Sequence, residues 1–129
     1  MILETTFALD FLKGNENAIA KMHSLVEENV SLEITTPTIF ELWGGLAQLG
    51  KGEKEREKMI SFIKGLTVYH FDEESAKIGG IIDGELIKRG LKIDPEDSMI
   101  AGIAIKNNKK VLTRDEHFIR IEGLKVERY

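Results

Sequence analysis

Four acidic residues stand beside the most apolar segments of the sequence, where a hydrophobic core is expected to begin. Glu4 closes the apolar run at the start of the chain, and Asp115 comes just after the strand-like segment 109–113. Asp97 opens an almost wholly apolar helical segment, and Glu41 lies within another predicted helix. Because the carboxyl ends of parallel strands meet at one edge of a sheet, acids from these four elements are predicted to share one pocket.

Such a pocket would need a cation. Like charges at short range raise carboxylate pKa values unless an opposite charge offsets the repulsion. Oxygen ligands without His or Cys favour Mg²⁺ or Mn²⁺ over zinc. Gly44 and Gly45, three and four positions after Glu41, carry no side chain and leave space on that face of the helix. The acids therefore predict a divalent-cation site.

Each acid also has a simpler explanation when it is taken alone. Asp97 would stabilise a helix N-terminus through the helix dipole. Asp115 is a natural turn residue. Glu4 would face water at a strand end, and Glu41 would be a surface or ion-paired acid. The metal site is predicted from their joint arrangement.

Strands and helices alternate along the chain, which predicts an α/β fold. Apolar residues recur at helical spacing or alternate as in strands, and Asn15 and Thr36 are placed to cap helices. Strands are predicted over 1–4, 30–36, 66–71, 110–113 and 124–129, and helices over 5–14, 16–29, 36–50, 72–90 and 95–107. The charged run 51–58 is predicted to be the linker and first turns of one more helix, which ends near 65. We expect a three-layer α/β/α sandwich with a mainly parallel central sheet of four to five strands.

Composition limits the function classes. The 129 residues, 42% of them hydrophobic, are enough for one domain over 1–129 with its own core. Without cysteine there is no disulfide, thiolate nucleophile or cysteine zinc site, and the chain suits a reducing cytoplasm. No signal peptide or membrane span is visible. The net charge of -4 argues against a generally basic nucleic-acid binder but leaves room for a local basic rim.

Other candidate motifs predict no chemistry. The glycine-rich segment 79–90 lacks the Lys-Ser/Thr ending of a phosphate-binding loop and the strand before it. No pair among His23, His70 and His117 has zinc-binding spacing, and each is predicted to be structural or exposed.

Four ordered motifs resemble the PIN-domain family and, within it, the VapC-type toxin ribonucleases of prokaryotic toxin-antitoxin pairs. That family has a first strand that ends in an acid and a Thr before a short apolar helix, to which "MILETTFALDFLKGN" is similar. Its second acid follows a strand and a Ser or Thr on a helix, as in "ITTPTIFELWGGL". Its third opens a helix like "PEDSMIAGIAI", and its fourth follows a strand and Thr, as in "KVLTRDEHF".

The resemblance covers essentially the whole chain and implies a function. It implies an endoribonuclease that hydrolyses RNA phosphodiester bonds with Mg²⁺ or Mn²⁺, works as a homodimer and is silenced by a small VapB-like antitoxin. Glu4, Glu41, Asp97 and Asp115 would hold the metal as the catalytic acids. The supporting hydroxyls would be those of Thr6 and Thr113, and the RNA-binding cations near the same edge would be Lys13, Lys106, Arg114 and Arg120.

Two alternatives stay open. Glu4 departs from the Asp of the family, so a PIN-like binding module with weakened or no nuclease activity is the main alternative. Asp94 and Glu96 match no ligand position and are assigned to the loop and helix cap. A receiver-like phosphoacceptor domain also gathers acids at strand ends, but it needs a lysine after a later strand, and Lys125 precedes its strand.

Overall fold

The chain folds around a parallel sheet, which the computed structural model describes for residues 1–50 and 52–129. Its strands span Ile2–Leu3 (β1), Glu33–Thr35 (β2), Thr67–Tyr69 (β3), Val111–Leu112 (β4) and Val126–Glu127 (β5). They lie in the order β3-β2-β1-β4-β5, and neighbours pair in parallel. The helices span Thr5–Leu12 (α1), Glu16–Glu27 (α2), Thr36–Leu49 (α3), Glu53–Lys64 (α4), Glu73–Lys88 (α5) and Pro95–Lys106 (α6), and a short 3-10 helix covers Glu116–Arg120.

Alternate residues of the central strands face different layers of helices, as the two-residue period of a strand requires. Ile2 and Val111 pack against α5 and α6, whereas Leu3 and Leu112 pack against α1 and α2. A third cluster joins Ile34 to α1, α3 and α4. The predicted α/β class and the parallel sheet flanked by helices are confirmed. None of the helices in the described ranges has the length and apolar character that a membrane span requires.

Local predictions hold better for helices than for strands. Asn15 caps α2 as predicted, but the residue that caps α3 is Thr35, not Thr36, because the Thr35 hydroxyl accepts from the N–H of Thr38 at 3.3 Å. The predicted strand over 30–36 shrinks to β2. Its partner β1 is only two residues long and pairs Ile2 with Glu33, so the residues before Glu33 have no strand beside them in β1.

Helices α5 and α6 pack against each other unusually closely, and this contact fixes the position of α6. A Cβ atom at Gly102 would lie 2.4 Å from the carbonyl oxygen of Ser75, and one at Gly79 would lie 2.8 Å from that of Ser98. Only glycine fits at such an approach. The first turn of α6, which contains Asp97, is thereby fixed relative to the rest of the fold.

Candidate metal centre

Glu4 follows the last residue of β1 and caps the N-terminus of α1. Its Oε2 atom accepts three hydrogen bonds: from the N–H of Thr6 at 3.0 Å, from the Thr6 hydroxyl at 2.6 Å and from the Thr113 hydroxyl at 2.7 Å. The residue is 2% exposed. Because all three bonds go to Oε2, Oε1 is left for a further ligand. The two threonines support Glu4 as the resemblance implies.

Glu41 lies on α3 and is held by a threonine that the sequence analysis did not nominate. The Thr5 hydroxyl donates to Oε1 of Glu41 at 2.7 Å and lies 3.1 Å from the hydroxyl of Thr38. The side of α3 at Gly44 and Gly45 is open, since a Cβ at either residue would contact nothing within 4 Å. The signal for Thr5 was its place in "ETT", directly after the first acid and beside the threonine that was nominated.

Asp97 and Asp115 meet at the same place, together with His117. The three residues offer ligand atoms that all lie within 4.8 Å of one another. Asp97 is buried in the first turn of α6, and Asp115 caps the 3-10 helix by accepting from the N–H of His117 at 2.9 Å. The Nδ1 atom of His117 lies 3.3 Å from Oδ1 of Asp115. The half-exposed His117 is therefore part of the site, which its spacing from the other histidines did not indicate.

Burial and mutual repulsion raise the pKa values of Glu4, Glu41 and Asp97. Burial raises the pKa of Glu4 despite its hydrogen bonds, and burial and then the charge of Glu4 raise that of Glu41 despite the bond from Thr5. The pKa of Asp97 is raised to about 8 by burial and by the charges of Glu4, Asp115 and Glu41. The acids are thus close enough to repel one another, and the site has an excess of negative charge.

Asp94 and Glu96 add to this charge, although the sequence analysis assigned them to the loop and cap. Asp94 occupies the cap position of α6, but its side chain makes no capping hydrogen bond. Its charge raises the pKa of Asp97 and of Glu41, and that of Glu96 also raises the pKa of Glu41. They belong to the electrostatic surroundings of the site.

Two arginines were nominated for RNA binding. The Arg114 side chain is 60% exposed and forms an ion pair with Asp10, with Nε 2.7 Å from Oδ2. It lies between Thr113 and Asp115 in the chain, next to the acids. Arg120 donates to the carbonyl oxygen of Leu91 at 3.5 Å.

The two nominated lysines lie at far ends of helices. Lys13 follows the C-terminal end of α1, whereas Glu4 caps its N-terminal end. Lys106 ends α6 and pairs with Asp72. It lies nine residues after Asp97, about 13 Å along the helix axis. The prediction that Lys106 lies near the acids is therefore wrong, because the helix carries it away from them.

The donor set fits a hard divalent cation. The oxygen atoms come from four carboxylates in separate parts of the fold, and the carboxylate of Asp97 has no hydrogen bond or ion pair with any residue in the described ranges. An ion in contact with several carboxylates would remove their repulsion. Mg²⁺ and Mn²⁺ take such oxygen ligands, and the single imidazole is also compatible with Mn²⁺.

A groove of about 850 Å³ lies on another part of the surface, away from the four acids. It is lined by residues from the end of α1, from α2 and from α4, among them Lys13, His23 and Phe62. None of the four acids lines it, so this groove and the acidic site are separate features.

Comparisons with known proteins identify the family of the chain. The family model described as PIN domain matches residues 1–124. The tRNA(fMet)-specific endonuclease VapC of Salmonella typhimurium is 28% identical over 127 residues, covering 98% of this chain and 95% of that protein. Ribonuclease VapC2 of Rickettsia felis is 25% identical over 129 residues, covering 99% and 96%. The solved structure of VapBC2 from Rickettsia felis bound to a DNA fragment from its promoter superposes with a TM-score of 0.89 at 25% identity, covering 99% of this chain and 97% of that chain. The chain belongs to the PIN domain family.

Proposed function

We propose that the protein is a Mg²⁺- or Mn²⁺-dependent endoribonuclease, folded as one domain over 1–129, and the toxin of a VapBC-type toxin-antitoxin pair. Membership of the PIN family and the names of the two relatives support ribonuclease activity. The observation that carries the proposal is the convergence of Glu4, Glu41, Asp97 and Asp115 without a cationic partner for Asp97 in the described residues. That arrangement is unfavourable unless a cation binds there.

The carboxylates and the threonine hydroxyls of the site would have different roles. Asp97 and Asp115 would bind the ion together with Glu4 and Glu41. The hydroxyls of Thr6 and Thr113 hold one oxygen of Glu4, and that of Thr5 holds one oxygen of Glu41. A divalent ion, when bound, activates water and neutralises the charge that develops on phosphorus oxygens during an in-line displacement. No side-chain nucleophile is required.

RNA would be held by local positive charge, because the chain as a whole carries -4. Arg114 is the best placed of the nominated cations, next to Asp115 in the chain and largely exposed. We propose Arg120 as a second phosphate contact and Lys13 as a more distant one. Phosphate contacts of this kind give affinity that falls with salt concentration.

The test is cleavage of single-stranded RNA by the parent and by Asp97→Asn, with Mn²⁺ or Mg²⁺ and with chelator as control. Loss of one ligand should lower the cleavage rate by at least about 100-fold, equivalent to several kcal/mol of transition-state stabilisation. Glu73→Gln, which neutralises an exposed acid on α5, is the matched control and should cut at the parental rate. Equal rates for the parent and Asp97→Asn would refute the metal assignment.

The alternative function is an RNA- or protein-binding module with a weak or inactive site, which the departure from Asp at Glu4 favours. Metal titration of the free protein separates the two functions. A nuclease site should bind Mn²⁺ or Mg²⁺ and raise the melting temperature as the ion concentration rises. A module without a working site should show no such stabilisation.

We also propose a VapB-like antitoxin as protein partner, a homodimer as assembly and the cytoplasm as location. The antitoxin is supported by the VapBC2 complex, which superposes on this chain over nearly its full length. The homodimer is supported by two large apolar side chains exposed on α3, Phe40 at 71% and Leu49 at 68%. Co-expression with the product of a neighbouring short reading frame should abolish RNA cleavage. Sedimentation of the parent and of Phe40→Glu tests the dimer.

A further inference from the structure

We propose that His117 supplies an imidazole nitrogen to the ion bound by Asp97 and Asp115, and that this nitrogen makes the site prefer Mn²⁺ to Mg²⁺. This inference rests on the proposed metal-dependent function and goes beyond it. It adds a ligand of a different chemical type to the four carboxylates and chooses between the two ions.

The geometry of the group suits a single ion. Ligand atoms of Asp97, Asp115 and His117 all lie within 4.8 Å of one another, and Nδ1 of His117 is 3.3 Å from Oδ1 of Asp115. Two ligands at adjacent corners of an octahedron with bonds of about 2.1 Å are separated by about 3 Å, and two at opposite corners by about 4.2 Å. The observed spacing is therefore close to that of ligands around one ion.

The carboxylate of Asp97, which has no protein partner among the described residues, is a second indication of a cation in this group. Asp97 is 6% exposed, yet its carboxylate has no hydrogen bond or ion pair with any residue in the described ranges. Buried carboxylates without a partner are costly, and most buried polar groups have one. Asp115 and His117 both offer ligand atoms within 4.8 Å of one of its oxygens.

His117 is held in place by the segment around it. The next residue, Phe118, is fully buried in the core, and the carboxylate of Asp115 accepts from the N–H of His117 itself. On the other side of Asp115, Arg114 is tied to Asp10 on α1. The imidazole thus projects from an anchored turn, which lowers the entropy lost when it binds an ion.

The nitrogen ligand determines the preferred ion. Mg²⁺ strongly prefers oxygen ligands and gives up its water reluctantly. Imidazole binds transition ions more readily, so one nitrogen among carboxylates favours Mn²⁺ over Mg²⁺. Carboxylates suit both ions, so the imidazole nitrogen is the ligand that discriminates between them.

The experiment uses the metal-free full chain and compares the parent, His117→Gln and His23→Gln. Gln keeps the approximate length and polarity of the side chain but removes the imidazole nitrogen, and His23 is an exposed histidine on α2 that lines the separate groove. Calorimetric titration with Mn²⁺ and with Mg²⁺ gives the two affinities. Pulsed electron paramagnetic resonance of the Mn²⁺-loaded proteins detects ¹⁴N coupling from a directly bound imidazole.

We expect His117→Gln to lose about tenfold in Mn²⁺ affinity, because it removes a nitrogen ligand that the ion prefers. We expect it to lose less than about threefold in Mg²⁺ affinity. The ¹⁴N coupling should be present in the parent and in His23→Gln and absent in His117→Gln. If His117→Gln does not fold, the double variant His23→Gln with His70→Gln leaves His117 as the only histidine and should keep the coupling.

Two results would overturn the inference, and only one of them would also contradict the proposed metal-dependent function. If the parent binds Mn²⁺ without ¹⁴N coupling, and His117→Gln binds it equally well, His117 is only a neighbour of Asp115 and the metal-dependent nuclease stands. If the parent binds neither ion, the proposed function loses its metal site as well.

Discussion

Carboxylates are buried both at the amino ends and at the carboxyl ends of the strands of the central sheet. Among these carboxylates of the described residues, only the acid at the amino ends, Glu33, is paired with cations. Glu33 begins β2 and is 1% exposed. Its oxygens contact the amino group of Met1 and, at 2.8 Å, Nζ of Lys109. Although burial alone would raise its pKa, these partners hold the pKa of Glu33 below its usual value. At the carboxyl ends Glu4 is equally buried and has hydroxyl and N–H partners only, and its pKa is raised.

This difference shows that burial of an acid does not by itself indicate its role. A buried carboxylate with its counter-charge supplied by the chain is part of the fold, because the ion pair is complete without a ligand. A group of buried carboxylates without counter-charge is unfavourable for folding. Such a group is therefore a stronger indication of a cation-binding site than a single buried carboxylate that is already ion-paired.

The comparison predicts that neutralising an acid lowers stability at the amino ends of the strands but does not lower it at the carboxyl ends. Glu33→Gln should lower the free energy of unfolding by about 3 kcal/mol, because it leaves the Met1 amino group and Lys109 without their partner. Glu41→Gln should leave stability unchanged or slightly raised in metal-free protein, because it removes repulsion. Urea unfolding of both variants measures this.

A double variant serves as the control for that experiment. Glu33→Gln with Lys109→Met removes the acid and one of its two cationic partners, and it should recover part of the lost stability because only the Met1 amino group is then left unpaired. If Glu33→Gln were as stable as the parent, the ion pairs at the amino ends would contribute nothing and the contrast between the two ends would fail.

The acids at the two ends of the strands should also differ in the sign of their pH dependence. The pKa of Asp97 is raised to about 8, so between about 4 and 8 the folded state holds a proton that the unfolded state releases. The contribution of Asp97 to the free energy of unfolding of the metal-free protein should therefore fall as pH rises through that window. The fall should be only about 2 kcal/mol, because the acids relax as Asp97 ionises. Glu33 has a lowered pKa, so its contribution is present above its unfolded pKa and is lost as pH falls towards the folded value.

The measurement is urea unfolding at intervals from pH 4 to pH 8 in chelator, for the parent and Asp97→Asn. The variant should lack the decline that Asp97 causes, and saturating Mn²⁺ should remove it from the parent, because the ion competes with the proton. Identical slopes in parent and variant would show that Asp97 is ionised without an ion.

Most of the fold could be predicted from the sequence because its signals are local. The alternation of apolar strand segments with helices gave the parallel sheet, and the acids that follow β1 and β4 were placed at one edge by the direction of those strands alone. The strand lengths were overestimated, because a strand extends only as far as its neighbour pairs with it. That depends on register, which a single segment does not encode.

The partners of the side chains were harder to predict, since they depend on contacts between distant segments. Thr5 meets Glu41 across 36 positions, and Lys109 reaches Glu33, so neither relationship has a local pattern. The neighbours of the His117 imidazole are carboxylates and not other histidines, so histidine spacing does not indicate its place in the site. Its position two residues after the fourth acid is the local signal for it.

Glu4→Asp tests whether the longer acid is a defect or fits this particular pocket. Glu4 reaches three donors on Thr6 and Thr113 with one oxygen and leaves the other free. Shortening the side chain by one methylene should withdraw the carboxylate from the donors or from the ion, and we expect Mn²⁺ affinity to fall about tenfold although Asp is the residue of the family. Calorimetric titration measures the affinity. A gain in affinity would mean that Glu4 weakens the site and would favour the binding-module alternative.

The smallest expected effect concerns Arg114, which precedes Asp115 in the chain, because its charge is already shared with Asp10. Arg114→Gln should weaken binding of single-stranded RNA about threefold and reduce the dependence of log affinity on log salt concentration by less than about 1. Asp10→Asn should do the opposite and strengthen RNA binding, since it frees the guanidinium, while the hydroxyl of Tyr129 can still donate to the amide oxygen at position 10. Fluorescence anisotropy in chelator measures both without cleavage. If the two variants shift affinity in the same direction, Arg114 acts on the fold through Asp10 and makes no contact with phosphate.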